Sequence, residues 1–526
     1  MDITLWIMTI GWCFVLLWVP FIIYTNRKTH PKALFVLFFA EMWERFSYYG
    51  MRALLVLYMT KVLFADLLQG DAEIKAYGIY GSYTAMVYLF PVIGGLVADK
   101  YLGFRKTIIW GGILMALGHF TLALQGVESF EGNMTFFFGA LSLIIIGNGF
   151  FKPNVSSFLG EFYEMDDPRK DGAFSIFYMG VNIGSFLATL TCGYVGQEIN
   201  WHYGFGLAGI GMVLGLISFW AFSRNFSEKG VAPQEVREGN VKILGLKPLT
   251  AIIGISLLAI PLCALMLDLD ELLSTLLLII SGGIIAYLVY SAVTAEDKKE
   301  GQRILVVVIL FFFHAIFWAL FEQAGGSLTL FADKNVNRMI GGAEIPASIF
   351  QSLNPFFIMI LAPVFSYLWI KLRKSKKEPS TPMKFVLGLL QLALGFAVIV
   401  IGARFFANQE GLVPIIFIAL MYFFHTTGEL SLSPVGLSMV TKLSPKKIVG
   451  FVMGAWFLSI ALGNKLAGLI GTLTASESVA DDAPASETLH IYSHTYLIYG
   501  VYVVAGAALI LLLLVPKLRK WMNGIH

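Results

Sequence analysis

Apolar residues in this chain come in long runs, not in the single stripe of a soluble helix or the alternation of a half-buried strand. Runs lie at about 3–24, 34–62, 76–98, 107–125, 135–160, 173–196 and 203–222. Each is near or beyond the roughly 20 residues that a helix needs to cross about 30 Å of hydrocarbon. A polar stretch from Ser223 to Pro248, holding Glu228, Lys229, Glu235, Arg237 and Glu238, interrupts the series. Two more runs follow at about 249–267 and 273–295, then six at about 304–331, 348–372, 384–405, 412–441, 448–473 and 492–516. The pattern predicts fifteen transmembrane helices in groups of one, six, two and six. It predicts four parts: residues 1–33, an extra N-terminal helix and basic loop; 34–222, a six-helix bundle; 223–303, a linker and two inserted helices; and 304–526, a second six-helix bundle. Between the last two runs, Ala475 to His490 reads as a solvated linker with four acidic residues and Pro484.

Loop charge tests that count, because Lys and Arg favour the cytoplasmic side of a membrane. One set of alternate connections is basic: Arg27, Lys28 and Lys32; Lys100, Arg105 and Lys106; Arg169 and Lys170; Lys298, Lys299 and Arg303. It continues with Lys371, Arg373, Lys374, Lys376 and Lys377, then Lys442, Lys446 and Lys447, then Lys517, Arg519 and Lys520. The other set carries Asp66, Asp71 and Glu73; Glu128 and Glu131; Asp268, Asp270 and Glu271; and Glu477, Asp481, Asp482 and Glu487. Lys61, Lys75, Lys334 and Arg338 are basic exceptions on the acidic side. The alternation places the C-terminus in the cytoplasm and, with an odd helix count, Met1 outside. The first run has only Asp2 before it and no small-residue cleavage site, so it reads as a retained helix, not a secretory signal.

Composition removes the soluble alternatives. Of 526 residues, 57% are hydrophobic and 13% charged, against roughly a quarter charged in ordinary soluble domains. Mean hydropathy is +0.75. A net charge of +3 with scattered basic residues excludes a nucleic-acid footprint. Cys13, Cys192 and Cys263 all lie in apolar runs and read as packing residues. No HExxH or Cys/His cluster suggests a metal.

Against this background, intramembrane charge stands out, since each charge at the bilayer centre costs about 2.5–3.5 kcal/mol on the insertion scale. Run 34–62 carries Glu41, Glu44, Arg45 and Arg52, whose spacings of three, four and seven share one helical face, with Tyr48 on the stripe and Tyr49 beside it. Lys152, Glu322, Glu429 and Lys465 are single charges in other runs. With Asn182 and Asn354 they describe a wet central cavity. His314 and His425 read as satisfied interior histidines. Glycines and prolines coincide with the polar residues: Gly147, Gly149 and Pro153 around Lys152; Gly180 and Gly184 around Asn182; Pro355 and Pro363 after Asn354; Gly428 and Pro434 around Glu429. Interrupted helices at these points would mark a transporter binding site.

The loop Gly94-Gly95-Leu-Val-Ala-Asp99-Lys-Tyr-Leu-Gly103-Phe-Arg105-Lys106 resembles the cytoplasmic gating motif of the major facilitator superfamily. That resemblance gives Asp99, Arg105 and Lys106 a gating role. Glu41-Met-Trp-Glu44-Arg45-Phe46-Ser-Tyr48-Tyr49-Gly50 resembles the E-x-x-E-R-F signature of the proton-dependent oligopeptide transporter family. The stretch from Asp171 through Phe174, Phe177 and Tyr178 to Asn182, Gly184 and Ser185 resembles its second signature. Phe317-Trp318 with Glu322-Gln323, and Gly428-Glu429 with Ser433-Pro434, Gly436 and Ser438, match further motifs. The likeness covers about residues 30–516, including the two inserted helices of bacterial members; the helix at 3–24 departs from it. So does the second core helix, which lacks the histidine of animal members: none lies between His30 and His119.

The resemblance implies an all-α polytopic membrane protein of the major facilitator fold, in the bacterial inner (plasma) membrane. It implies no enzyme activity and no cofactor, protons as the coupling ion, and symport of di- and tripeptides by alternating access. No nucleic acid or obligate protein partner is implied beyond the lipid bilayer. An extended di- or tripeptide is about 7–11 Å long. Arg52 and Lys152 can take its carboxylate and Glu429 its ammonium, drawing the halves together. Asn182, Asn354 and Ser433 suit its backbone, and Tyr48, Tyr49, Tyr88 and Trp456 its side-chain pockets. Glu41, Glu44, Arg45, Glu322 and Lys152 are the proton-coupling candidates, through Lys152–Glu322 and Arg45–Glu41/Glu44 pairing. Three other readings stay open: a proton-coupled carrier of nitrate or small organic anions, a non-transporting peptide sensor, and an intramembrane enzyme using His314, Glu322 or His425.

Overall fold

The computed structural model describes residues 3–164, 167–445, 448–475 and 484–525, without the side chains of 434, 435 and 437. Lys446, Lys447, Glu477, Asp481 and Asp482 lie outside the described residues. Helices α1 (Ile3–Asn26), α2 (Lys32–Tyr58), α3 (Gln69–Val97), α4 (Gly103–Leu124), α5 (Met134–Gly160), α6 (Lys170–Tyr194), α7 (Trp201–Ala221), the one-turn α8 (Gln234–Arg237) and α9 (Pro248–Asp268) come first. They are followed by α10 (Asp270–Val293), α11 (Lys298–Phe321), α12 (Ser327–Asn335), α13 (Leu353–Lys374), α14 (Thr381–Ile401), α15 (Ile415–Leu443), α16 (Val449–Thr472), α17 (Ala485–Thr495) and α18 (Val504–Trp521).

Among the described residues, thirteen stretches are long and apolar enough to cross a membrane, and one of them, Gln69–Leu124, holds both α3 and α4. Helix α2 is excluded from that group by its charges and is nonetheless a continuous 27-residue helix. All fifteen predicted runs are therefore helical, and the chain is a multi-pass membrane protein.

Several boundaries differ from the sequence reading; α3 and α11, for instance, start earlier, at Gln69 and Lys298. The run at 304–331 is not one helix: α11 stops at Phe321, a 3-10 turn occupies Glu322–Gly325, and α12 begins at Ser327. The final span starts at Ala485, so residues 485–490, read as linker, are helical instead. Polar residues there hid the helix because they bond inside the protein: Thr488 donates to the Asn335 side chain (3.2 Å).

Contacts divide the chain into two compact units. The first comprises Met1–Tyr58, Met86–Leu269 and Met339–Pro355. Its axis is α2, with 22 of 27 residues buried, packed against α6 and α7. Small residues permit that approach: a Cβ at Gly180 would meet Phe38, one at Gly184 the Met42 carbonyl, and one at Gly211 Phe46. Helix α1 lies on α6, with Gly11 against Leu190 and Phe186, and Trp12 Nε1 donating to Thr191 (2.9 Å). Helix α9 packs on α5.

The second unit comprises Met59–Ala85, Asp270–Arg338 and Phe356–His526. It thus takes the first part of α3, which crosses α16 where Gly81 and Gly468 put backbone against backbone. Lys465 of α16 donates to Ser82 (2.8 Å) and to Asp270 at the start of α10 (3.3 Å). The two inserted helices therefore belong to different units, α9 to the first and α10 to the second. The exceptions to charge alternation are also explained here. Lys61 pairs with Asp333 (2.6 Å), Lys334 with Glu73, Arg338 with Asp333 (3.4 Å), and Lys75 lies over the Phe64 ring.

The expected helix interruptions are absent. Helices α5, α6 and α15 run unbroken through Pro153, Asn182 and Glu429. Pro355 falls in the first turn of α13, where a missing N–H leaves no bond unmade. The glycines instead mark crossings: Gly147 against the Gly111 carbonyl, Gly149 against Phe90, and Gly428 against the Gly388 carbonyl. Gly94 is the tightest, since its Cβ would strike the Gly149 carbonyl, the group left without its helical donor by Pro153. Asn154 closes the same crossing by donating to the Gly94 carbonyl (3.1 Å). Gly95 has open space beside it. Gly94→Val should therefore cost about 1–3 kcal/mol or more from overpacking, read as a lower melting temperature in detergent. Gly95→Val should melt like the parent.

Candidate functional site

The charge stripe of α2 folds into a buried triad in the first unit. Arg45 Nε lies 2.8 Å from Glu41 Oε1 and 2.7 Å from Glu44 Oε2, and all three side chains are at most 6% exposed. Helical spacing brings Glu41 and Arg45 together at i and i+4, and Glu44 is the chain neighbour of Arg45. Asn148 of α5 donates from Nδ2 to Glu44 Oε1 (2.9 Å). Sequence reasoning passed over Asn148, although an asparagine between Gly147 and Gly149 in an apolar run was a usable signal. Ser47 of α2 and His119 of α4 are joined at 2.6 Å, another buried polar contact beside the same helix.

The triad carries two carboxylates and one cation, and three of its buried atoms, Glu41 Oε2, Glu44 Oε2 and Arg45 Nη2, lack a hydrogen-bond partner. In hydrocarbon a net charge and unmade hydrogen bonds are both expensive. This arrangement has a place for one proton.

Two further cations of the unit, Arg52 and Lys152, lie on tyrosines. Arg52 lies 5.5 Å from the Tyr49 ring centroid, and Tyr49 meets Tyr48 edge-on at 5.2 Å. Lys152 of α5 lies 4.1 Å from the centroid of Tyr88 on α3. Cation–π contact holds a charge in place against an aromatic face. Asn182 of α6 is buried, its Nδ2 donating to the Tyr178 carbonyl (2.9 Å). Its side-chain oxygen remains the group with which it could meet a ligand. Asn354 stands in the first turn of α13 and is half-buried.

At the basic-loop end of this unit, Asp99 is exposed in a turn after α3. Gly103 joins that turn to α4 at φ +71, and any Cβ there would run into the Val231–Ala232 backbone. Arg105 binds the polar linker, not Asp99: its guanidinium donates to the carbonyls of Ser227 and Lys229 (2.7 Å to the latter) and lies over Phe226. Arg105 of the motif thus holds the linker against the start of α4. Lys106 is exposed.

In the second unit, Glu322 is buried in the 3-10 turn after α11. Its neighbour Gln323 holds that turn by donating to the carbonyls of Ala319 (3.0 Å) and Ala467 (2.9 Å), and accepts from Ser327 (2.6 Å). The helix break therefore aims a carboxylate from a fixed turn. Glu429 of α15 is buried, and Ser433, one turn later, is half-buried. Trp456 differs from expectation. It is 1% exposed, stacked on His314 at 4.2 Å and covered by Gly436, so it backs the interior and does not form an open wall. His314 is saturated: Trp318 Nε1 donates to its Nε2 (2.8 Å), which leaves Nδ1 to donate to Ser459 (2.6 Å).

Removing one partner of a buried charge group leaves the rest uncompensated, at about 3–5 kcal/mol. Arg45→Met should therefore lower the melting temperature strongly. Asn148→Ala, which removes one neutral donor, should cost about 1–3 kcal/mol. Equal losses for the two would show that the carboxylates do not depend on Arg45.

The arrangement matches known proteins. The sequence profile of the POT family matches residues 105–489. The peptide transporter YePEPT of Yersinia enterocolitica is 39% identical over 505 residues, covering 94% of this chain and 96% of that protein. Dipeptide and tripeptide permease A of Yersinia pestis is 35% identical, covering 94% of each chain. A crystal structure of the peptide transporter POT in complex with sulfate superposes with a TM-score of 0.78 at 36% identity, covering 94% of this chain and 96% of that one. A POT family transporter in complex with 5-aminolevulinic acid gives 0.76 at 30% identity, covering 93% and 97%. By profile, sequence and fold, this chain belongs to the POT family, a family of transporters and not of enzymes.

Proposed function

We propose that the protein is a proton-coupled symporter that imports di- and tripeptides across the bacterial inner membrane, with its C-terminus in the cytoplasm. Relatives named as peptide transporters and as dipeptide and tripeptide permeases support the substrate class. The observation that carries the coupling is the triad in the first unit: two buried carboxylates share one arginine. A proton taken up there balances the charge, and its release restores the imbalance. No other ion or cofactor is needed for that cycle.

In the first unit, Arg52 and Lys152 serve the peptide carboxylate, since both are cations held on tyrosine faces. Asn182 and Asn354 serve its backbone, each with an amide that donates and accepts. Tyr48, Tyr49 and Tyr88 flank side chains. In the second unit, Glu429 serves the ammonium, Ser433 assists one turn away, and Trp456 stiffens the interior behind them. Glu322, on its fixed turn, is a second proton carrier, with Lys152 as its counter-charge during the cycle. Asp99, Arg105 and Lys106 govern the basic-loop end, Arg105 through the linker it holds. Because recognition falls on termini and backbone, many side chains are accepted.

Reconstituted liposomes test this reading. Under an inward gradient of one pH unit, one proton per peptide supplies about 1.4 kcal/mol, a roughly tenfold accumulation of labelled dialanine. A protonophore should abolish it. Glu322→Gln should lose accumulation and keep counterflow exchange. Peptide binding without accumulation would indicate a sensor, and uptake of nitrate in place of peptide an anion carrier.

A further inference from the structure

A cavity of about 1010 Å³ opens within the second unit, between the ends of α13, α14, α15 and α18 that carry basic residues. Five cationic side chains line it, Arg373, Lys376, Lys384, Lys442 and Arg519, against one carboxylate, Glu378. Glu378 is already committed: it accepts from Arg373 Nε (2.7 Å) and from Lys384 Nζ (2.7 Å). Those bonds hold its carboxyl down to about 2, so it stays ionised and its charge is spent on two of the five cations. The cavity keeps a surplus of positive charge.

This is not the peptide site. Ser438 and Lys442, which line the cavity, lie about 180° and about 220° round α15 from Glu429 at 100° per residue. They occupy the opposite side of that helix.

The chain tolerates strain to build the cavity. Helix α13 ends in a Schellman arrangement, with Lys377 N–H bonded to the Leu372 carbonyl (2.9 Å) and Lys376 N–H to that of Arg373 (3.0 Å). The position that such an ending usually gives to glycine is Lys376, at φ +56. A lysine in the left-handed region is unfavourable for the fold alone, and such outliers point to function. Here the strain places another cation at the cavity wall.

The walls are also partly greasy. Met439, Val515 and Met522 face the cavity, and Trp369 lies under Lys384 Nζ at 4.6 Å. On α13 and α18, helices long and apolar enough to cross a membrane, Tyr367, Ile370 and Leu513 are exposed. A small soluble anion would use only the cations. A molecule with a phosphate head and hydrocarbon tails uses both, and surplus positive charge beside a membrane-facing surface suits an anionic lipid.

We propose that this cavity is a binding site for the phosphate headgroup of an anionic phospholipid, with its acyl chains on the adjoining faces of α13 and α18. Arg373 and Lys384 are anchored by Glu378 and form the rigid wall; Lys376, Lys442 and Arg519 make the charge-assisted contacts to phosphate.

The test uses the purified, delipidated full-length chain, titrated with phosphatidylglycerol or phosphatidylcholine and followed by native mass spectrometry. Phosphatidylglycerol should bind roughly tenfold more tightly than phosphatidylcholine. The double variant Lys442→Gln/Arg519→Gln should lose most of that preference. Lys376→Gly is the sharper variant, because relieving the left-handed lysine should leave the lipid-free melting temperature equal or higher while phosphatidylglycerol binding falls several-fold. Equal binding of the two lipids, or unchanged binding in Lys376→Gly and the double variant, would overturn the proposal. So would full displacement of phosphatidylglycerol by inorganic phosphate at equal concentration, which would make the site one for free phosphate. None of these readouts depends on peptide transport.

Discussion

Hydrocarbon offers no water, so every charge and hydrogen-bonding group carried into it must be satisfied by protein. Arg45 between Glu41 and Glu44 is where that constraint bears hardest on this chain. A helix with such a stripe cannot face lipid, and α2 is enclosed by α6 and α7. Enclosure in turn requires neighbours thin enough to come close, which is why Gly180, Gly184, Gly211 and Gly215 stand where α2 passes. Asn148 then has to be polar, because it faces Glu44. The packing of the first unit follows from one unbalanced ionic group.

The second unit answers the same constraint differently. Its ion pairs carry no surplus carboxylate: Lys334 meets Glu73, tying α12 to α3, and Asp333 of α12 takes both Lys61, which precedes α3, and Arg338. The contrast has a functional meaning. Balanced pairs are stable as they stand and act as fastenings, whereas a group with a surplus carboxylate changes its energy with each proton. Fastenings and proton carriers are built from the same residue types and differ in their count.

Much of this was legible in the chain. All fifteen runs are helices, the four charges of α2 do share one buried face, and the signatures led to the right family. What failed has a common cause. Gly147, Gly180 and Gly428 look the same in sequence whether they break a helix or let another cross it, because the reason for a missing side chain lies in the neighbouring helix. The partners of Arg105, linker carbonyls, were not legible for a similar reason: backbone acceptors have no residue identity to be read. Trp456 was expected at a side-chain pocket, but its burial under His314 and Gly436 depends on where α11, α15 and α16 meet. Run length and charge spacing are local properties. Partners across helices are not.

The extra helix α1 shows how far local reading goes. Its apolar run is plain, and its buried residues are Thr4, Gly11, Val15, Val19 and Ile22, with Gly11 meeting α6. Between them Trp12 reaches the Thr191 hydroxyl, and Trp18 reaches the Met179 sulfur (3.2 Å). A hydroxyl on the outward face of α6 would otherwise look into lipid, satisfied only by its own backbone. By covering it, α1 replaces fluid lipid with a fixed protein partner along the helix that carries Asn182. Helix α6 is then gripped on one side by α2 and on the other by α1. Any tilt or rotation of α6 is shared with a helix whose remaining surface, at Leu16, Leu17 and Phe21, is exposed and apolar. That contact ties α6, and through it the charged group on α2, to the extra helix.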